Sequence, residues 1–187
     1  RVVGEDGTVA PRFLRQGINA ALNADRFAYV SEGDTLFGGV RSAGSQLETA
    51  ALAIDGDVES FWEPDRDSPL RDWFLEMDLG RAVIADKIRV IFPDTTGARP
   101  FTFFSVFTSP GVPVSFGGGK RIVFDRVGKT INNNTMRVVE FELEVKDDPE
   151  QKFSPVRFVR FEATGRTPDA ALAEIEVDAV GFNLSSK

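Results

Sequence analysis

The chain has 187 residues, of which 42% are hydrophobic, so it is long and apolar enough for one folded domain with a sizeable core. Its formal net charge of −7 argues against nucleic acid as the main partner, because phosphate binding needs a cationic face. Cysteine and histidine are both absent, which excludes thiol nucleophiles, Cys/His zinc sites and a Ser-His-Asp triad. No apolar run is long enough to span a bilayer.

The first part of the chain, residues 1–33, differs in pattern from the rest, and we interpret it as an N-terminal arm. Within it the spacing predicts a short helix over residues 19–26, and Phe27, Tyr29 and Val30 alternate like a strand. A free tail with this many large apolar groups would expose an apolar patch that promotes nonspecific association, so the arm must be buried on its own domain or on a partner. The candidate partner-binding residues of the arm are Phe13, Leu14, Phe27 and Tyr29.

The remaining residues, 34–187, favour β-structure, because short apolar alternations are separated by turn residues with little helical pattern. A single helical turn is predicted over residues 47–53. Strands are predicted over residues 36–40, 72–78, 87–92, 101–108, 121–126, 137–145, 156–163 and 171–180. Glu140, Glu142 and Glu144 alternate with apolar residues and are expected on a solvated face. The fold class is therefore all-β, an antiparallel sandwich or barrel.

One acidic loop gathers several oxygen donors around a glycine. Gly56 permits a tight turn, and Asp55, Asp57 and Ser60 lie close to it along the chain. These oxygens can converge on one hard cation, or they can cap the local backbone amides as in an Asx turn. The residues themselves leave both interpretations open.

The chain resembles discoidin domains, also called coagulation-factor C-type domains, which are close to the galactose-binding-like carbohydrate-binding modules. Residues 53–57 with Ser60 and Trp62 are similar to the opening signature, and residues 73–80 are similar to the second. Residues 157–161 followed by 172–177 resemble the two closing strands. The order agrees across residues 34–182, and the resemblance implies an eight-stranded β-sandwich of the jelly-roll type.

The resemblance also implies a structural calcium ion. The matching positions are Asp55, Asp57 and Ser60 in the acidic loop and Glu174 near the other end of the chain. Backbone carbonyls would supply the remaining ligands, since calcium takes six to eight oxygens. Trp62 is expected in the core beneath the loop.

Sugar-binding members of this group use loop histidine, arginine and asparagine residues with an exposed aromatic ring. This chain has no histidine, so the candidate ligand-binding residues are other loop residues. They are Arg66, Arg99, Phe116, Asn132 and Asn134.

Two functions follow from the sequence. The first is a noncatalytic binding or assembly module of an exported or cell-surface complex, which makes protein–protein contacts through its arm. The alternative is a carbohydrate-binding module that recognises cell-surface or matrix glycans. An enzyme is disfavoured, because no nucleophile–base pair appears. Both functions predict an extracellular, cell-surface or periplasmic location.

Overall fold

The computed structural model describes residues 18–31, 33–143 and 154–182, together with the backbone of two short strands near the N-terminus. Three short 3₁₀ helices are found in these residues, at Ala24–Arg26, Leu47–Ile54 and Leu70–Asp72. The strands are β1 (Val2–Val3), β2 (Val9–Ala10), β3 (Ile18–Asn19), β4 (Ala28–Ser31), β5 (Asp34–Phe37), β6 (Gly39–Ala43), β7 (Phe74–Ile91), β8 (Phe104–Ser109), β9 (Pro113–Phe116), β10 (Gly119–Ile122), β11 (Asp125–Ile131), β12 (Val138–Glu142), β13 (Ser154–Ala163) and β14 (Glu174–Phe182).

Eight of these strands form one antiparallel sheet, in which β7 is the central element. The hydrogen-bonded order is β11-β8-β13-β7-β14-β3, and β6 and β12 also pair with β7. The three other strand pairs, β1–β2, β4–β5 and β9–β10, are two-stranded and separate from this sheet. The all-β, antiparallel fold class expected from the sequence is confirmed.

Strand β7 bends, and this bend turns the sheet into a sandwich. A straight strand of its 18 residues would span about 60 Å. Yet the rings of Trp73, just before it, and Phe92, just after it, lie 6.4 and 6.1 Å from the same Phe101 ring. The bend falls near Gly80, which has a φ of +71°, and β13 shifts register opposite this point. The sequence predicted separate strands over residues 72–78 and 87–92, but the structure has one continuous strand, Phe74–Ile91, that bends near Gly80.

The two layers of the sandwich enclose an aromatic core. One layer contains β6, the first half of β7, β13, β8 and β11, and the other contains β12, the second half of β7, β14 and β3. Phe104 on β8 contacts Phe141 on β12 across the layers, at 6.2 Å between ring centroids. Phe104 also contacts Phe92 and Phe161, and all three rings are fully buried. The contacts of Phe104 with Phe141 and Phe92 are edge-to-face and its contact with Phe161 is stacked, and such aromatic pairs add to the stability gained from burial.

The register of the strands separates two ends of the sandwich. At one end β6, β11 and β13 finish while β7 and β8 begin, so residues 44–73, 92–103, 132–137 and 164–173 meet there as loops. We call this the loop end. Strand β8 finishes at the opposite end, where the β9–β10 hairpin follows it and β7 bends. We call this the hairpin end.

The residues that precede β4 pack on the sandwich, but they do not form the helix predicted over residues 19–26. The side-chain oxygen of Asn19 accepts hydrogen bonds from the backbone N–H groups of Ala21 and Val177, both at 3.1 Å. These bonds hold β3 against β14 and compete with a helix at the same residues. Only the single 3₁₀ turn Ala24–Arg26 remains.

Two of the four candidate partner-binding residues contact the sandwich of their own chain. The Tyr29 hydroxyl donates a 2.7 Å hydrogen bond to Oδ2 of Asp78, and the Arg157 guanidinium lies 4.0 Å from the Tyr29 ring centroid. Arg81 stacks on the Phe27 ring at 3.5 Å. Phe13 and Leu14 lie outside the described residues. A role in partner binding for all four stays a prediction.

Other sequence expectations meet mixed outcomes. The helical turn predicted at residues 47–53 is confirmed as Leu47–Ile54. The strand predicted at residues 36–40 is divided between β5 and β6 at Gly38, where a Cβ atom would lie 2.3 Å from the Ala24 carbonyl oxygen. The strand predicted at residues 121–126 is divided between β10 and β11. Glu140 and Glu142 are exposed, as expected, and Glu144 lies outside the described residues.

Candidate functional site

The acidic loop at the loop end is ordered by its own side chains. The Asp57 N–H donates to Oδ1 of Asp55 at 2.8 Å, and the Glu59 N–H donates to Oδ1 of Asp57 at 2.9 Å. These are two successive Asx-type turns. The Ser60 hydroxyl donates to Oδ2 of Asp55 at 2.8 Å, and Gly56 adopts a φ of +86° between the acids. The sequence left open whether these groups cap the backbone, and they do so in the structure.

Glu174 reaches this loop from the first residue of β14. Its Oε1 accepts a 2.7 Å hydrogen bond from the Gly56 N–H, while its Oε2 is buried without a hydrogen-bond partner. Burial raises the pKa of Glu174 to about 8, the Gly56 N–H opposes this shift, and the nearby Asp55 carboxylate adds to it. Glu174, which follows Gly56 by 118 positions, therefore lies at the same loop as the other three predicted metal-binding residues, Asp55, Asp57 and Ser60.

The donor set of this cluster fits a hard cation. Its oxygens belong to carboxylates and a hydroxyl, which calcium prefers, and the unpartnered Glu174 Oε2 is the kind of buried acceptor that a cation would satisfy. Within the described residues no group of three or more acidic side chains is close enough to form a cage by itself. Backbone carbonyls of the acidic loop would have to supply several ligands.

Trp62 anchors the acidic loop to the core. Its side chain is fully buried, and its indole N–H donates to the Ser45 carbonyl at 3.1 Å. Its backbone exchanges two 2.9 Å hydrogen bonds with Leu172, just before β14. The expectation that Trp62 lies in the core is confirmed, and the two residues hold the acidic loop beside Glu174.

A second group at the loop end, which we call the polar patch, consists of Glu63, Arg66, Arg99 and Asp169. The Arg66 guanidinium contacts Oε1 of Glu63 at 3.1 Å and Oδ1 of Asp169 at 2.5 Å. The Glu63 hydrogen bond, followed by the charge of Asp169, raises the pKa of Arg66 above its usual range. The backbone of Arg99 pairs with that of Asp169 and Ala171, at 2.8 and 3.0 Å, and its side chain is exposed.

Arg166 supports the polar patch from beneath. Its guanidinium donates to the carbonyl oxygens of Arg66 and Ser68, at 2.8 and 2.7 Å, and lies 5.1 Å from the buried Trp73 ring. These bonds fix the loop that carries Arg66. The ring of Phe103 packs against Gly165 in the same loop region and remains part-exposed.

The structure brings only some of the candidate ligand-binding residues together. Arg66 and Arg99 meet at Asp169 in the polar patch. Asn134 belongs to a neighbouring loop, where its amide group bonds to Phe101 and Met136 and so frames the backbone. Asn132 is exposed in that loop, and its amide donates to the Thr130 carbonyl. Phe116 lies at the opposite, hairpin end.

The sequence did not single out Glu63, Asp169 or Arg166. Asp169 adopts a left-handed φ of +58° within the turn of residues 167–170, and aspartate is one of the residues that tolerate it. The Pro168-Asp169 pair was therefore the available turn signal. Nothing in the spacing indicated that this turn contacts residues 63–66.

Comparison with known proteins gives the fold. No family model and no curated protein sequence matches the chain. Among solved structures, a family 32 carbohydrate-binding module from Clostridium perfringens NanJ, in complex with galactose, is 16% identical with a TM-score of 0.52, covering 75% of this chain and 91% of that one. Chitosan-binding module 2 of a chitosanase/glucanase from Paenibacillus sp. IK-5, in complex with chitotriose, is 17% identical with a TM-score of 0.54, covering 85% and 98%.

A third structure, a family 32 module from a family 31 glycoside hydrolase of Clostridium perfringens, is 16% identical with a TM-score of 0.52, covering 83% of this chain and 97% of that one. The chain thus has the discoidin-like, galactose-binding-like jelly-roll fold, as the sequence resemblance implied. None of the helices in the described part of the chain is long and apolar enough to cross a membrane.

Proposed function

We propose that this chain is a noncatalytic carbohydrate-binding module that binds glycans at its loop end. The likeness to modules whose structures contain galactose and chitotriose supports this function more than it supports protein assembly. The observation that carries the proposal is the polar patch, which occupies the loop end with exposed and oppositely charged groups. The side chain of Arg66 is 63% exposed although it contacts two carboxylates.

The chemistry of the polar patch suits sugar hydroxyl groups. Each hydroxyl both donates and accepts hydrogen bonds, so it pairs with a guanidinium and a carboxylate together. Arg66 and Arg99 would donate to sugar oxygens, while Glu63 and Asp169 would accept from hydroxyl hydrogens. The part-exposed ring of Phe103 offers an apolar surface at the same end, where the C–H face of a sugar could pack.

Calcium belongs to this proposal as a structural ion. It would be held by Asp55, Asp57, Ser60 and Glu174, with carbonyl oxygens of the acidic loop. Its charge would offset the burial of Glu174 and tie the start of β14 to the acidic loop. Glycan binding of this kind also predicts an exported, cell-surface or periplasmic setting.

Calorimetric titration with galactose and with chitotriose tests the function. We expect wild-type protein to bind at least one of them, and Arg66→Ala and Arg99→Ala to weaken binding about tenfold or more, because each removes charged hydrogen bonds to the sugar. Arg66→Ala should leave folding almost unchanged, since exposed ion pairs contribute little stability.

Arg126→Ala is the matched control, because Arg126 is an exposed arginine on β11 outside the polar patch. It should bind like the wild type. If neither sugar binds, and a wider panel of neutral and amino-sugar glycans also fails to bind, the proposed function is wrong. If Arg66→Ala, Arg99→Ala and Arg126→Ala weaken glycan binding equally, the polar patch is not the glycan-binding site.

A further inference from the structure

The exposed apolar side chains of this protein are concentrated at the hairpin end, away from the polar patch. Seven of the twelve large apolar side chains that are exposed in the described part of the chain lie on the β4–β5 hairpin or on or beside the β9–β10 hairpin. They are Val30, Leu36 and Phe37 on β4–β5, and Val112, Val114, Phe116 and Val123 on or beside β9–β10. We call the two hairpins together the hairpin surface.

The β9–β10 hairpin presents an exposed apolar face, on which the Arg121 guanidinium lies 5.5 Å from the Phe116 ring centroid. Val112, Val114 and Phe116 alternate along the chain, so they point to one side, and they are 68%, 48% and 71% exposed. The hairpin belongs to a two-stranded sheet with no third strand, and both of its outer edges lack a partner strand in the described part of the chain. An isolated two-stranded hairpin is marginally stable in water, so this element gains from a partner.

The β4–β5 hairpin presents a similar face. Tyr29 points toward the sandwich, where its hydroxyl bonds to Asp78. Val30 and Phe37 point to the other side, because Val30 pairs with Thr35 and Phe37 with Ala28, and they are 75% and 63% exposed. This hairpin is also a two-stranded sheet of its own.

Arg157 shows that the two hairpins are neighbours. Its guanidinium stacks on the Tyr29 ring of β4 at 4.0 Å. Its side-chain stem lies against Gly111, just before β9, where an added Cβ atom would come within 2.6 Å of Arg157 Cδ. The ring of Phe124, just after β10, is 6.3 Å from that of Phe158. The hairpin surface is therefore one continuous region.

The two hairpins carry opposite charges. Residues 28–37 contain two acidic residues and no basic residue, and residues 112–123 contain Lys120 and Arg121 and no acidic residue. Asp34, Lys120 and Arg121 are all exposed. A surface with a negative element beside a positive one, both with apolar faces, is complementary to itself after a two-fold rotation.

We propose that the hairpin surface is the interface of a symmetric dimer, occupied by a second copy of this chain. The β4–β5 hairpin of each copy would lie against the β9–β10 hairpin of the other, with opposite charges paired and the apolar faces buried. A purely anionic partner such as a lipid surface would meet the acidic hairpin and a chain of net charge −7, which disfavours it.

The location of the interface gives the dimer a consequence for binding. The hairpin surface is at the end of the sandwich opposite the polar patch, so dimerisation would leave both loop ends free. Two copies would then engage two glycans at once, which raises the apparent affinity for a multivalent surface without any new contact. The dimer itself does not depend on glycan binding.

Sedimentation velocity of the full chain tests the proposal. We expect a reversible dimer at about 10–100 µM protein, where a micromolar dissociation constant would populate it. Salt at about 1 M should weaken but not abolish it, because charge pairing is screened while apolar burial is not. If the wild-type protein stays monomeric throughout this concentration range, the proposal is wrong. If that monomer also co-sediments with phosphatidylserine vesicles, the hairpin surface binds a membrane instead.

A charge exchange provides the sharper test. The variant Lys120→Glu/Arg121→Glu makes both hairpins acidic, and the variant Asp34→Lys/Thr35→Lys makes both basic. Each variant alone should be monomeric, and their equimolar mixture should dimerise, because each hairpin contact in the mixed pair joins a net acidic hairpin to a net basic one. If each variant dimerises like the wild type, or if the mixture stays monomeric, the proposed pairing is wrong.

The apolar contribution is tested by Phe116→Ser, which should raise the dissociation constant about tenfold or more through lost burial. Leu47→Ser is the matched control, since Leu47 is 56% exposed but lies at the loop end. It should leave the dimer unchanged. Melting curves of all variants should be measured alongside, because a variant that still melts cooperatively has lost the dimer and not the fold.

Discussion

Replacing Asp78 with alanine should lower the free energy of unfolding by about 3–5 kcal/mol. The Asp78 side chain is 3% exposed and accepts hydrogen bonds from the Tyr29 hydroxyl at 2.7 Å, from the Gly80 N–H at 2.7 Å and from two nitrogens of Arg157 at 3.2 Å. Burial lowers the pKa of Arg157, but Asp78 outweighs this and the net pKa is raised. The substitution would leave a half-buried guanidinium without its counterion and a buried N–H without an acceptor. Urea denaturation measures the loss.

Asp94→Ala is the matched control for this prediction. Asp94 also pairs with an arginine, Arg137, at 3.1 Å, but its side chain is 76% exposed. We expect a loss of about 1 kcal/mol or less, because solvent screens exposed ion pairs. The double variant Asp78→Ala/Arg157→Met should lose less than Asp78→Ala alone, since both charges are gone. Equal unfolding midpoints for Asp78→Ala and the wild type would contradict the account of this ion pair.

Calcium should stabilise the wild-type protein and have no effect on a Glu174→Gln variant. At about one hundred times the dissociation constant, calcium binding to the native state would add about 2.7 kcal/mol. Glutamine keeps an oxygen that can accept the hydrogen bond of Gly56 but removes the charge that would ligate the ion. In chelator the variant should be at least as stable as the wild type, because Glu174 is 1% exposed and the charged form of its carboxylate is disfavoured by burial.

Thermal unfolding in chelator and in excess calcium measures both expectations. Asp67→Asn serves as the control, since Asp67 is an exposed acid that follows the acidic loop in the chain. This substitution should leave the calcium response intact. A calcium response that persists in Glu174→Gln would place the ion elsewhere. If the wild-type protein melts identically with and without calcium, calcium does not stabilise the native state and the proposed structural ion is wrong.

Much of the fold followed from local patterns. Alternation over residues 87–92 and 137–145 indicated strands, and Val90 and Phe141 are buried while Glu140 and Glu142 face solvent. The acidic loop could be predicted because aspartate, serine and glycine there have few other structural roles. Its contact with Glu174 came from the family resemblance, since no local pattern joins residues 118 positions apart.

Other features could not be predicted from local patterns. The bend of β7 depends on Gly80 together with packing of Phe92 against Phe101 and Phe104, which is a tertiary contact. The meeting of Arg66 with Asp169 likewise depends on how distant loops are placed by the strands. Phe116 was predicted as a ligand-binding residue because exposed aromatic rings are typical of sugar sites. It lies instead at the hairpin end, because the β9–β10 hairpin follows the end of β8 that is opposite the loop end.

The most direct test of glycan binding at the loop end is nuclear magnetic resonance of isotope-labelled protein titrated with galactose and chitotriose. We expect the amide signals of residues 63–69, 95–100 and 165–171 to shift in a saturable way, because these loops carry the polar patch. Signals of β4–β5 and β9–β10 should not move with sugar. Saturable shifts confined to the hairpin end, or no saturable shift with any glycan tested, would contradict it.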